Sequence, residues 1–152
     1  TPSTQPTRTN LKRMPFNQFK VIDSHTAGEP TRVIVEGGPN WKSLSIHDRL
    51  AEARNQFDGY RRALVNEPRG SEVMVGAHLL PPTDATYTAG VIFFNNVGYL
   101  GMCGHGMIGV VETLRYLGQL GPGIWKFETV AGIVTTNVLD DGRVEIANVP
   151  SY

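Results

Sequence analysis

The sequence predicts an α+β domain with many strands, two helices and mostly antiparallel connections, and three observations carry that reading. Short β-branched and aromatic runs recur, such as Thr31–Glu36 (TRVIVE) and Thr88–Asn95 (TAGVIFFN). Two longer stretches carry apolar residues at a 3.6-residue period. Seventeen glycines and ten prolines in 152 residues separate these runs, which favours short elements joined by turns.

Taken in order, Thr1–Gln18 is rich in Thr, Pro and Asn with no acidic residue, and reads as a loose arm. A transit peptide is the alternative, opposed by the absence of a clear amphipathic face. Phe19–Asp23 reads as a strand, His25–Pro30 (HTAGEP) as a turn, and Thr31–Glu36 as a second strand closed by Gly37-Gly38-Pro39. Ser45 is a plausible helix cap. Behind it Ile46, Leu50, Ala53, Phe57, Tyr60 and Leu64 form one apolar stripe, which predicts a single helix over 46–64. Between the stripe residues lie Arg49, Glu52, Arg54, Gln56, Arg61 and Arg62, and the arginines read as a solvated basic face. Asn66–Gly70 is a turn. Met74–Leu80 is a strand ended by Pro81-Pro82, and Thr88–Asn95 is a buried central strand. From Met107 the pattern is helical, with Ile108, Val111, Leu114 and Leu117 as its apolar face and Gly118 and Gly121-Pro122 as its stop. Ile124–Val130, Gly132–Leu139 and Arg143–Ala147 read as a strand meander, with an Asp-Gly hairpin turn at Asp140–Gly142.

Composition removes whole classes of function. Fourteen Lys plus Arg balance fourteen Asp plus Glu, so nothing draws the chain to nucleic acid or an anionic membrane. No apolar stretch approaches the roughly 20 residues of a spanning helix. Hydrophobic residues at 40% against 18% charged argue for a packed core rather than disorder. Cys103 is the single cysteine, so an internal disulfide and a paired-cysteine zinc site are both excluded, and a reducing, cytoplasmic setting is expected.

The chemistry concentrates in Met102–Gly109 (MCGHGMIG). Cys103 stands where a strand gives way to a helix. The first N–H groups of a helix lack internal partners and its dipole adds positive charge, so this place should lower a thiol pKa and seat a carboxylate. Gly104 and Gly106 are expected to clear the way for close backbone approach. A thiol base beside an anion seat suits proton abstraction at the α-carbon of an amino acid. Three other readings stand beside it. Cys103 could be a small buried hydrophobe. It could act with His105 as an acyl-transfer nucleophile, although no Gln or Asn partner is identifiable. Cys103 and His105 are too close in sequence to wrap one tetrahedral metal ion, so no metal is expected.

The segment MCGHGMIG resembles the signature of the proline racemase family, which includes hydroxyproline epimerases and trans-3-hydroxyproline dehydratases. Ile22–Val35 (IDSHTAGEPTRVIV) and Arg62–Gly76 (RALVNEPRGSEVMVG) are similar to further family segments in the same order, and Asn95–Gly109 covers the catalytic turn. The resemblance implies a diaminopimelate-epimerase-like half, with mixed, mostly antiparallel strands around a central helix. Residues 19–152 would be the first of two such halves facing each other across a cleft. It implies a two-thiol mechanism with no pyridoxal phosphate or metal, in which Cys103 is one acid/base. Gly104 and His105 would hold the substrate through their backbone amides, with the His105 side chain in polar contact. His25 is a further candidate for site contact.

What the resemblance leaves out matters equally. The second half, with the residue opposite Cys103, is absent from the sequence. One thiol cannot sit on both faces of Cα, so the partner is a missing C-terminal half or, alternatively, a second copy in a homodimer. The leading expectation is a 4-hydroxyproline 2-epimerase, with a trans-3-hydroxy-L-proline dehydratase or a proline racemase as alternatives. A non-catalytic anion-binding half-domain is the reading outside enzymology. Gly106, where strict proline racemases usually carry Asn, and Val75, where relatives often have an aromatic, both point to room for a ring hydroxyl.

Overall fold

The computed structural model describes residues 18–147. The expected arm lies outside the described residues except for Gln18, as do the last five residues of the chain. The strands are β1 (Lys20–Thr26), β2 (Glu29–Glu36), β3 (Val75–Leu80), β4 (Ala89–Phe94), β5 (Tyr99–Leu100), β6 (Gly123–Thr129), β7 (Gly132–Val138) and β8 (Val144–Ala147). The helices are α1 (Ile46–Asn55), α2 (Asp58–Val65) and α3 (Gly104–Tyr116). One sheet contains all eight strands in the order β1-β2-β3-β4-β6-β7-β8, with β5 paired to β4. Among the described residues only the β2/β3 and β4/β6 pairs are parallel, because each spans a helical crossover, whereas shorter connections without a helix return the chain antiparallel.

Alternation along the strands separates two packed faces. Val33, Val75, Ala77, Val91, Phe93 and Phe127 face α3 and pack with its Met107, Val110, Val111 and Leu114. Ile34 and Phe94 pack with Leu64 and Val65 of α2, while Leu80 and Ile92 pack with Ile46 and Leu50 of α1. The sheet curls around α3, which packs against β1, β2 and β3 and also reaches β8 at the far edge. Arg115 closes that side, donating to the Gly142 carbonyl at 3.0 Å and to Glu112 at 2.8 Å. The result is an α+β half with a central helix, in agreement with the expected class.

Three expectations need correction. The single helix over 46–64 is two helices, because the chain leaves helical geometry at Phe57 (φ −118°, ψ 15°). Asp58 then opens α2, where its carboxylate is held by Arg61 at 2.7 and 2.9 Å and by the Tyr99 hydroxyl at 2.9 Å. The break preserves the stripe while letting each half aim its apolar residues at a different part of the sheet. The basic face is not uniformly solvated either. Arg49 is 6% exposed and donates to the carbonyls of Ser43 and Pro81, and Glu52 beside it accepts the N–H of Lys42. Arg61 is also largely covered and donates to the Asn95 and Asn96 carbonyls. Finally, Leu117 is 37% exposed, and Met107 and Val110 take its place on the buried side of α3.

Candidate functional site

The β1–β2 connection is tighter than the HTAGEP turn predicts. β1 continues through Thr26, β2 begins at Glu29, and only Ala27 and Gly28 turn the chain, with φ of 51° and 89°. Two positive φ values at the centre of a two-residue hairpin match the right-handed twist of its strands. His25 is consequently a strand residue. It is exposed, pairs with Pro30, and lies on the opposite face from Thr26.

Helix α3 is placed against this hairpin by one glycine. A Cβ on Gly109 would lie 2.7 Å from Thr31 Cβ and 3.0 Å from Ser24 Oγ, so only glycine allows the helix this close. Ser24 and Thr31 are a cross-strand pair, and their side chains therefore project to the α3 face. One helical turn earlier, Thr26 Oγ1 donates to the His105 carbonyl at 3.4 Å. The hairpin thus runs along the first two turns of α3 and fixes where its N-terminus points.

Cys103 occupies the cap position of α3 in extended geometry (φ −141°, ψ 116°). It is half-buried, with its inner side against the core under α3. Its sulfur lies 3.4 Å from His105 Nδ1 and 3.7 Å from Nε2. Gly104 is exposed, and the direction its side chain would take is empty to 4 Å, so the first turn of the helix is open to an incoming group. Cys103, Gly104 and His105 therefore meet at one accessible helix start. The 580 Å³ cavity lined by Leu44–His47, Thr83 and Glu128–Ile133 does not include Cys103, although Ala131 N–H donates to the Gly101 carbonyl at 3.2 Å on the flank of the site.

The electrostatics differ from the expectation. Burial pushes the Cys103 thiol above its ordinary value and the charge of Glu29 adds to that. The Gly106 and His105 amides pull the other way without overcoming it. The helix-start effect is real in sign, but desolvation of a half-buried sulfur outweighs it. Two steric readings also change. A Cβ on Gly106 would meet the Phe93 ring at 2.9 Å, so this glycine admits a core ring rather than substrate. Val75 is a buried member of the core beneath α3. Neither position offers a steric argument for a ring hydroxyl.

Thr26 and Glu29 are the site neighbours that the sequence reading missed. Reading HTAGEP wholly as a turn hid them, whereas a period-two reading carried through Ser24, Thr26, Glu29 and Thr31 places all four on one face. Among the described residues no group of three or more His, Cys, Asp or Glu could hold a metal ion, and no helix is long and apolar enough to cross a membrane.

Comparison with known proteins bears directly on this site. The proline racemase family model matches residues 21–152. A 4-hydroxyproline 2-epimerase from Xanthomonas campestris pv. campestris is 56% identical over 137 residues, covering 90% of this chain and 44% of that protein. A 4-hydroxyproline 2-epimerase from Pseudomonas putida is 50% identical with the same coverage. The crystal structure of a hydroxyproline epimerase from Agrobacterium vitis, with trans-4-hydroxy-L-proline bound, superimposes with a TM-score of 0.78 at 27% identity, covering 87% of this chain and 42% of that one. The chain therefore spans less than half the length of these relatives.

Proposed function

The chain belongs to the proline racemase family, and from that premise we propose that it supplies the Cys103-bearing half of a cofactor-independent epimerase acting at Cα of 4-hydroxyproline. The observation that carries the proposal is the half-buried Cys103 sulfur at the cap of α3, beside an open Gly104 and within 3.4 Å of the His105 ring. Relatives named 4-hydroxyproline 2-epimerase, at 50% and 56% identity, support the substrate.

The chemistry follows from that placement. The substrate carboxylate rests on the amides of Gly104 and His105 at the helix start, which directs Cα towards the sulfur. In one direction the Cys103 thiolate takes the Cα proton, and the electron pair left behind spreads into the carboxylate held by those amides. A second acid then delivers a proton to the opposite face. In the reverse direction Cys103 is the donor and must begin as a thiol, the form that burial favours. The His105 ring contacts the sulfur and the bound substrate.

The opposite acid lies outside this sequence. Residues 19–152 act as the N-terminal half of a two-domain enzyme whose C-terminal half brings that acid across the cleft. A homodimer facing two copies of Cys103 is the other arrangement that satisfies the same demand. A reducing cytoplasmic compartment suits a site that depends on a free thiol.

Solvent exchange tests this reading. The full-length protein, with its thiol reduced and no cofactor added, should place deuterium at Cα of 4-hydroxyproline in heavy water while interconverting the epimers. An absence of exchange under those conditions overturns it.

A further inference from the structure

We infer that Thr26 is a positioning residue for the proton transfer: its hydroxyl holds the His105 carbonyl and so aims the Gly106 N–H, at the other end of the same peptide unit, towards the Cys103 sulfur. The inference rests on the epimerase reading and gives it a residue that acts through the backbone rather than on the substrate.

The His105 carbonyl and the Gly106 N–H belong to one planar trans peptide, so they point in opposite directions and turn together. Thr26 Oγ1 donates to the carbonyl at 3.4 Å. At the other end Gly106 stands against Cys103, because a Cβ built on it would lie 3.3 Å from Cys103 Cβ. The Met107 N–H closes the first helical bond on the Cys103 carbonyl at 2.8 Å. The Gly106 N–H comes before that bond, among the amides that have no partner inside the helix and that a cap side chain ordinarily satisfies. Here the cap side chain ends in sulfur. It makes no capping bond, yet burial, which raises the thiol, is opposed first by the Gly106 amide and then by that of His105. Thr26 also acts electronically. A carbonyl oxygen accepts two bonds, and the helix uses one of them. A second donor on the oxygen polarises the peptide and makes its N–H a stronger donor.

The hydroxyl comes from a strand end that is held in place. Thr26 is the last residue of β1 and pairs with Glu29 across the two-residue turn of Ala27 and Gly28. Two residues back, the Ser24/Thr31 pair abuts Gly109, so the hairpin meets α3 at two successive turns. Among the described residues two titratable groups face the sulfur. They are His105 on α3, with its ring 3.4 Å away, and Glu29 on β2, whose charge opposes the thiolate. Asp23, His25 and Arg32 lie on the opposite face of the hairpin, and β3, β4 and β8 offer α3 apolar side chains such as Ala77, Phe93 and Ile146. Thr26 is uncharged, so replacing it leaves the charges around the sulfur as they are.

The test reads the Cys103 thiol in the full-length protein, by iodoacetamide labelling against pH followed on the peptide that carries Cys103. Thr26→Val removes the hydroxyl and keeps the shape of the side chain. It should raise the thiol pKa by about half to one pH unit, the scale of one hydrogen bond, and slow labelling near pH 7 about 3–10-fold. The gap should close at high pH. Exchange of the Cα proton should fall by a similar factor. The Kd of pyrrole-2-carboxylate, a planar ring carboxylate that reports on the anion seat, should stay within about twofold. Thr26→Ala should behave like Thr26→Val, and Thr26→Ser, which keeps the hydroxyl, should return the thiol towards its wild-type pKa. If the wild type exchanges the Cα proton, three results overturn the role of Thr26 alone. They are an unshifted thiol in the Val and Ala variants, an equal shift in the Ser variant, and a loss of pyrrole-2-carboxylate binding as large as the loss of exchange. A wild type that does not exchange the proton overturns the epimerase reading and this inference with it.

Discussion

The two faces of the sheet each bury a titratable side chain, and the contrast between them shows what separates a reactive position from a structural one. On the α3 face Cys103 is half-buried, has an open helix start beside it, and touches a second polar ring. On the α1/α2 face His78 is 1% exposed and is packed by Trp41 at 5.2 Å, Tyr60 at 6.1 Å and Phe94 at 4.9 Å between ring centroids. Its two ring nitrogens have no hydrogen-bond partner among the described residues. Burial shifts both groups towards their neutral forms, raising the thiol and lowering the imidazole to about 3. The thiol is half-exposed beside an open helix start whose amides can stabilise its charged form, whereas the imidazole is ringed by aromatic side chains. Perturbation of a pKa is thus a sign of burial first, and becomes a sign of catalysis only where the site is also open.

The sharpest way to break this contrast is to remove the sulfur. Cys103→Ser in the full-length protein should lower Cα exchange by a factor of about 10³ or more, since a hydroxyl is a far poorer base near neutral pH. A variant retaining more than a tenth of wild-type exchange would move the proton transfer elsewhere. The pH dependence of kcat/KM should agree, with the limb set by the Cys103 thiolate lying above the ordinary thiol range.

The corresponding experiment on the other face reads stability. His78 has a folded-state value depressed from 6.5 to about 3. Its contribution is therefore fully present above about pH 6.5 and is lost as pH falls towards 3, because the unfolded chain takes up the proton first. Between pH 6.5 and 4 this amounts to roughly 3 kcal/mol. His78→Phe, which suits the surrounding rings, should flatten that acid dependence in urea unfolding while leaving activity at pH 7 intact. An unchanged acid limb would show that other groups cause it.

Two glycines of the MCGHGMIG segment sharpen the comparison within the site. Gly109→Val should cost about 2–3 kcal/mol, read as a lower urea midpoint, because its side chain would enter space held by Thr31 and Ser24. Gly104→Ala should change stability by less than about 0.5 kcal/mol, because nothing lies within 4 Å of the added methyl. Equal costs at the two positions would contradict the close approach of α3 to the hairpin.

The strand runs, the three-strand meander of residues 123–147, a helix following Cys103 and the prominence of Cys103 were all legible in the amino-acid sequence, although the helical pattern was clear only from Met107 and the helix begins at Gly104. Each depends on neighbours within a few residues: alternation for strands, a 3.6-residue period for helices, a glycine cluster at a strand-to-helix junction. β5 escaped notice because two residues, Tyr99 and Leu100, are too few to show a period. The break at Phe57 escaped because the apolar stripe continues across it, and the deciding contact comes from Tyr99, 41 residues away from Asp58.

Which segments could become strands and helices, and where a thiol would meet a helix start, follow from the order of residues alone, because those are local properties of the chain. Tertiary structure alone decided that Arg49 and Glu52 would be buried, that Gly106 would serve a core ring, and that burial would outweigh the helix amides at Cys103. It also turned Thr26 and Glu29 towards the site. Solvent exclusion and facing direction are set by residues far apart in sequence that meet only when the sheet closes around α3, so no local pattern can report them.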